Sequence, residues 1–203
     1  MLLTHSVRKY VRGFWGADFF RCILFFVPYL IPLFWVDFTL LLPETRIFWG
    51  SLIVTLLIVV IILLCDIKRI APFFNKELYS LYPPFLKKWY YITVFSLVGS
   101  AIFEELFFRA FVPKNNIIIS FLLSTCLFVV SHYIQQPTRN KFINRDYMNL
   151  VIISIVFFFS FIVSGSVISS IIGHLLYNSP KIIGSTIQYR VTNKQNLLYG
   201  EGE

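Results

Sequence analysis

Charge is what this sequence has least of. Only 14% of its 203 residues are Asp, Glu, Lys or Arg, and just 10 of them are acidic. So few charges cannot cover the surface of an ordinary soluble domain of this length, and a hydrophobic fraction of 57% with mean hydropathy +0.74 exceeds what such a domain needs for a core. Cysteine is nearly absent too. Cys22, Cys65 and Cys126 lie in or at the edge of apolar runs without C-x-x-C spacing, which excludes a disulfide framework and leaves them as reduced packing residues. There is no internal repeat, no low-complexity tract and no polar stretch long enough for a separate soluble domain. A cleavable signal peptide is not expected either. The first twenty residues are polar, basic and aromatic, and no A-x-A-like site follows a short apolar core.

What is there is a set of long apolar runs. Six can be counted, at roughly 20–42, 47–65, 89–112, 117–134, 147–163 and 166–184, each near the length that crosses a bilayer. The expected fold is all-α: a polytopic membrane bundle of about six transmembrane helices around an intramembrane polar site. The breaks carry turn chemistry, as in Pro43-Glu44-Thr45-Arg46 and Pro113-Lys114-Asn115-Asn116. At Ser164-Gly165-Ser166 the last two runs are either separate spans or one bent hairpin. Residues 1–88 read as an N-terminal segment, two spans and a loop, 89–184 as the functional core, and 185–203 as a tail.

The net charge of +8 is spread in short clusters between the apolar runs, with no continuous basic domain. That argues against nucleic acid and for membrane topology. Placing both termini in the cytoplasm leaves only Arg46, Arg109 and Lys114 of the 18 basic residues elsewhere, a strong positive-inside bias. Richness in Ile, Phe, Lys and Asn with short loops fits a bacterial plasma membrane.

Against this background a few polar groups stand out. Glu104 and Glu105 are adjacent within an apolar run, and Arg109 lies four residues after the second. A charge at mid-bilayer costs at least about 2.5 to 3.5 kcal/mol, so such groups are kept only when they face partners or a polar cavity. Neighbouring side chains on a helix point about 100° apart, so only one carboxylate can make the i, i+4 pair with Arg109. The other is free to serve as a general base on water. The plainer alternative is a buried ion pair that locks helices together.

Two later runs add one histidine each. Phe128 and His132 form F-x-x-x-H, and His174 and Asn178 form H-x-x-x-N. His132 can be a hydrogen-bonded packing residue, a metal ligand, a water-orienting group or a proton carrier. His174 and Asn178 share a helical face and can donate to a developing oxyanion. Asn178 also reads as a helix-end residue, because Ser179-Pro180 follows. Counting about 1.5 Å of rise per residue puts Glu104, His174 and Asn178 near the midplane, with His132 some way toward the cytoplasm.

In order and placement, E-E-x-x-x-R, F-x-x-x-H and H-x-x-x-N resemble the CPBP family of intramembrane proteases, also called the Abi family. It includes the CaaX-processing endopeptidases and bacterial relatives linked to bacteriocin processing and self-immunity. The resemblance covers roughly residues 89–184, and one difference is Ala110, where relatives commonly have glycine. It implies hydrolysis of a peptide bond in a membrane-associated peptide or protein substrate. Glu104 and His132 would activate water, His174 and Asn178 would stabilise the oxyanion, and Glu105 with Arg109 would support the site. Members are named metalloproteases, yet there is no H-E-x-x-H here. Zinc or another divalent metal on Glu104, His132 and His174 and a metal-free, carboxylate-activated water both fit these residues. A noncatalytic self-immunity or scaffold protein of the same family is the other functional class. An ion transporter is disfavoured by the lack of inverted repeats and of a carboxylate chain across the membrane. Oligomeric state and substrate identity have no signature in the chain.

Overall fold

The computed structural model describes residues 15–31, 46–110, 112, 115–134 and 142–199. Among these the regular elements are all helical: α1 (Trp15–Leu30), α2 (Arg46–Cys65), α3 (Ile67–Ile70), a 3₁₀ turn (Ala71–Phe74), α4 (Lys76–Ser80), α5 (Lys87–Glu105), a π-helical turn (Leu106–Ala110), α6 (Ile117–Ile134), α7 (Asn144–Ser164) and α8 (Val167–Tyr199). The expected all-α membrane architecture is therefore present.

Of the six spans expected, four are found among the described residues as helical segments long and apolar enough to cross a membrane: α2, α5 with its π-turn, α6 and α7. The first run is helical from Trp15, earlier than expected, and its part from residue 32 onward lies outside the described residues. α8 has ample length at 33 residues, but His174, Asn178 and Lys181 lower its hydropathy. Runs five and six are two helices joined by a tight turn. Gly165 adopts φ 67°, a left-handed conformation that costs glycine nothing, and its N–H closes α7 on the Phe161 carbonyl at 2.9 Å.

α8 also overturns the reading of Ser179-Pro180 as a helix end, since it continues through Pro180 to Tyr199. Proline removes one backbone bond and costs about 3 kcal/mol in a helix interior, so packing beyond it must hold the helix together. Tyr189 stacks on Tyr90 at 4.6 Å, and Thr192 accepts the Phe85 N–H at 3.1 Å.

Two compact units divide the chain. One comprises Met1–Pro28, Asp66–Ser100 and Asn178–Glu203, and the other Tyr29–Cys65 and Ala101–Tyr177. In the first, Phe26 packs where Gly99 has no side chain, and Phe19 and Phe26 meet Phe95 at 5.1 and 6.2 Å. In the second, α7 packs against both α2 and α6. The buried residues of α2 are Phe48, Leu52, Thr55, Val59 and Ile62, alternating steps of four and three that place one stripe on α7. Val59 and Ile62 join Ile153 and Phe157 in a core cluster, while Trp49, Ile53, Leu57 and Leu64 face outward. α6 is inverted relative to a soluble helix: it buries Ser120, Ser124, Thr125 and Phe128 and exposes Ile118, Ile119 and Leu122. With no hydrophobic drive between helices in lipid, small hydroxyl residues at the contact allow close approach and hydrogen bonding.

A seam of hydroxyls does the same between α2, α7 and α8. Ser51 Oγ reaches Ser160 Oγ at 3.0 Å, Ser160 donates to Ser169 at 2.8 Å, and Ser164 Oγ lies 3.2 Å from Ser169 Oγ. Further along α8, a Cβ at Gly173 would sit 2.7 Å from both Phe157 Cε1 and Thr55 Cγ2. That contact sets the closeness of α8 to α7 and α2. Gly173→Ala should therefore destabilise the folded protein by roughly 1–3 kcal/mol through overpacking. Gly50→Ala, with nothing within 4 Å of the added Cβ, should be neutral or gain about 0.5–1 kcal/mol from helix propensity. Thermal unfolding in detergent measures both, and equal behaviour of the two variants would rule out a packing constraint at Gly173.

Candidate active site

The polar residues of the second unit gather where α5 gives way to the π-turn. π-turns are rare and widen the helix locally, often at functional positions. Glu104 and Glu105 close α5, and Arg109 is the fourth residue of the turn. All three are buried, at 3%, 0% and 1% exposure.

Glu105 is the hub. Its Oε2 accepts from Arg109 Nε at 3.0 Å, and its Oε1 accepts from His174 Nδ1 at 2.9 Å. The i, i+4 pair expected between Glu105 and Arg109 is present. The His174 contact is not among the sequence expectations, which give that imidazole to an oxyanion or a divalent metal. Arg109 Nη1 donates in turn to the hydroxyl and the carbonyl of Ser124 on α6, and the guanidinium lies 5.1 Å over the Phe128 ring. Ser124 is a participant the sequence reading missed. The available signal was its position four residues before Phe128 and eight before His132 on the same face of α6.

Glu104 points elsewhere, toward His132. Its Oε2 lies 3.8 Å from His132 Nε2, too far for a direct hydrogen bond, and is buried with no hydrogen-bond partner among the described residues. His132 Nδ1 lies 2.9 Å from the Phe128 carbonyl. A carbonyl only accepts, so Nδ1 carries a proton, and the neutral tautomer with that proton presents an Nε2 lone pair to Glu104. Phe128 at 4.8 Å and Phe142 at 6.3 Å pack against the ring. Rise counting had set His132 apart from Glu104 in depth. It measures along each helix's own axis and ignores tilt, so unequal counts can reach one level.

His174 is held by the Glu105 bond and by stacking on Phe157 at 5.7 Å. Asn178 belongs to the first unit, where its Nδ2 donates to the Leu97 carbonyl at 3.0 Å and meets Ser100 Oγ at 3.4 Å. As for a metal, among the described residues no three His, Cys, Asp or Glu side chains are grouped as a ligand set. Glu104, His132 and His174 are not grouped in that way in this arrangement.

No curated protein and no solved structure matches the chain. One family model does, described as type II CAAX prenyl endopeptidase Rce1-like, over residues 86–180. That stretch begins just before α5, ends at Pro180 in α8 and carries all three motifs. Residues 86–180 are thus similar to the Rce1-like CAAX endopeptidase family, in agreement with the CPBP family that the motifs resemble.

Proposed function

We propose that the protein is an intramembrane endopeptidase in which Glu104 and His132 activate a water against a peptide bond of a membrane-associated substrate. At the family level, a membrane endopeptidase follows from the Rce1-like match. The observation that carries the mechanism is the facing pair of acceptors, Glu104 Oε2 without a hydrogen-bond partner among the described residues and His132 Nε2 at 3.8 Å. Two acceptors at that separation repel unless a donor lies between them, and a water about 2.8 Å from each can donate one hydrogen to each. Its oxygen lone pair is then free for the substrate carbonyl carbon. As the C–O bond forms, Glu104 takes one proton, and that proton goes to the leaving amine when the C–N bond breaks.

The tetrahedral intermediate needs donors. His174 Nδ1–H is committed to Glu105, so donation from Nε2 requires the imidazolium, with Glu105 as its counter-ion. The part given to Asn178 rests on the H-x-x-x-N spacing in α8. The positive-inside distribution supports cytoplasmic termini and, with the composition, a bacterial plasma membrane.

Glu104→Gln should lower cleavage of a membrane peptide by about 10²–10⁴-fold with nearly normal folded yield, because the amide keeps the shape and can donate to His132 Nε2. Single-turnover cleavage and size-exclusion profiles measure the two effects. Persistent activity would remove the catalytic reading and leave a noncatalytic immunity or scaffold role. Cleavage that is lost on chelation and restored by zinc would put a cation in the mechanism. Arg109→Ala should behave differently: it strands Glu105, and breaking a buried pair costs about 3–5 kcal/mol, so folded yield should fall together with activity. Normal thermal stability of that variant would show that the ion pair does not hold the bundle.

A further inference from the structure

We propose that the first unit holds a binding site for an anionic phospholipid at the start of α5, separate from the residues assigned to hydrolysis. A half-open cavity of about 320 Å³ is lined by Phe19 of α1 and Lys88, Tyr91 and Ile92 of α5. That size is at the lower end of the roughly 300–1,000 Å³ typical of ligand pockets. Phe19, Ile92 and the Tyr91 ring make its wall aromatic and aliphatic, so its interior suits hydrocarbon. Lys88 contributes its apolar stem to the wall, as long basic side chains do at membrane edges, with the ammonium left at the rim.

The rim is cationic. Lys87 and Lys88 occupy the first turn of α5, where the helix dipole already disfavours positive charge. Lys88 Nζ is 3.7 Å from Asp18 and 5.0 Å over the Trp89 ring, and the exposed Lys87 adds a second cation in the same turn. Leu86, Trp89 and Tyr91 beside them are exposed at 54%, 41% and 47%. This is the basic and aromatic composition of a bilayer interface, and α5 is one of the four helical segments able to cross a membrane. An occupant must therefore pair an apolar tail with a negative head. Inorganic phosphate lacks the first and phosphatidylcholine lacks the second.

The full chain reconstituted in nanodiscs tests this, with unfolding followed by tryptophan fluorescence and retained lipid by native mass spectrometry. Phosphatidylglycerol should raise the unfolding temperature by about 2–4 °C over phosphatidylcholine alone and should be retained by the protein. Inorganic phosphate should do neither. Lys87→Gln with Lys88→Gln should abolish the difference, as should Ile92→Trp, which fills the cavity and leaves the lysines in place. Asp18→Asn added to Lys88→Gln covers the case in which the stranded carboxylate hinders folding. Lys68→Gln with Arg69→Gln should leave the phosphatidylglycerol effect intact. Equal unfolding temperatures in the two lipids would overturn the site. So would an equal loss from the Lys68 and Arg69 pair, which would reduce the effect to diffuse surface charge. Neither result bears on cleavage by Glu104.

Discussion

The bond from Glu105 to both Arg109 and His174 is the constraint around which the second unit is arranged. A carboxylate this deeply buried in an apolar bundle is tolerated only when hydrogen-bond donors meet both of its oxygens. Here the π-turn supplies one donor and α8 the other, and Arg109 extends the connection to Ser124 on α6. One charge cluster therefore ties three segments that lipid would otherwise leave indifferent to one another. With Glu105 occupied in this way, Glu104, about 100° around the helix, is turned toward His132.

Legibility in the sequence followed cost. Glu104, Glu105, Arg109, His132 and His174 stand out because each is expensive in an apolar run, and the structure brings those five together in one unit. The hydroxyl groups did not stand out. Ser51, Ser160 and Ser169 are ordinary residues in an apolar helix, and only their hydrogen bonds across helices show why they are there. Ser124 is the same case: its importance comes from Arg109, fifteen residues away in sequence. Element ends were least legible where long-range packing overrode a local rule. Pro180 reads as a stop, yet Thr192 and Tyr189 are engaged well beyond it.

The family match begins at residue 86, yet the second unit does not begin there. α2, outside the match, puts Thr55 against Gly173, the residue directly before His174. Phe157 fills the other side of that glycine and stacks on the His174 ring. α8 is thus pressed onto α7 by a helix that carries no motif residue, and the Glu105 to His174 bond at 2.9 Å tolerates little displacement. Residues 86–180 bear the chemistry, but the position of one of its imidazoles depends on α2. What α2 contributes is packing volume at Thr55 and along the Phe48 to Ile62 stripe rather than any reactive group.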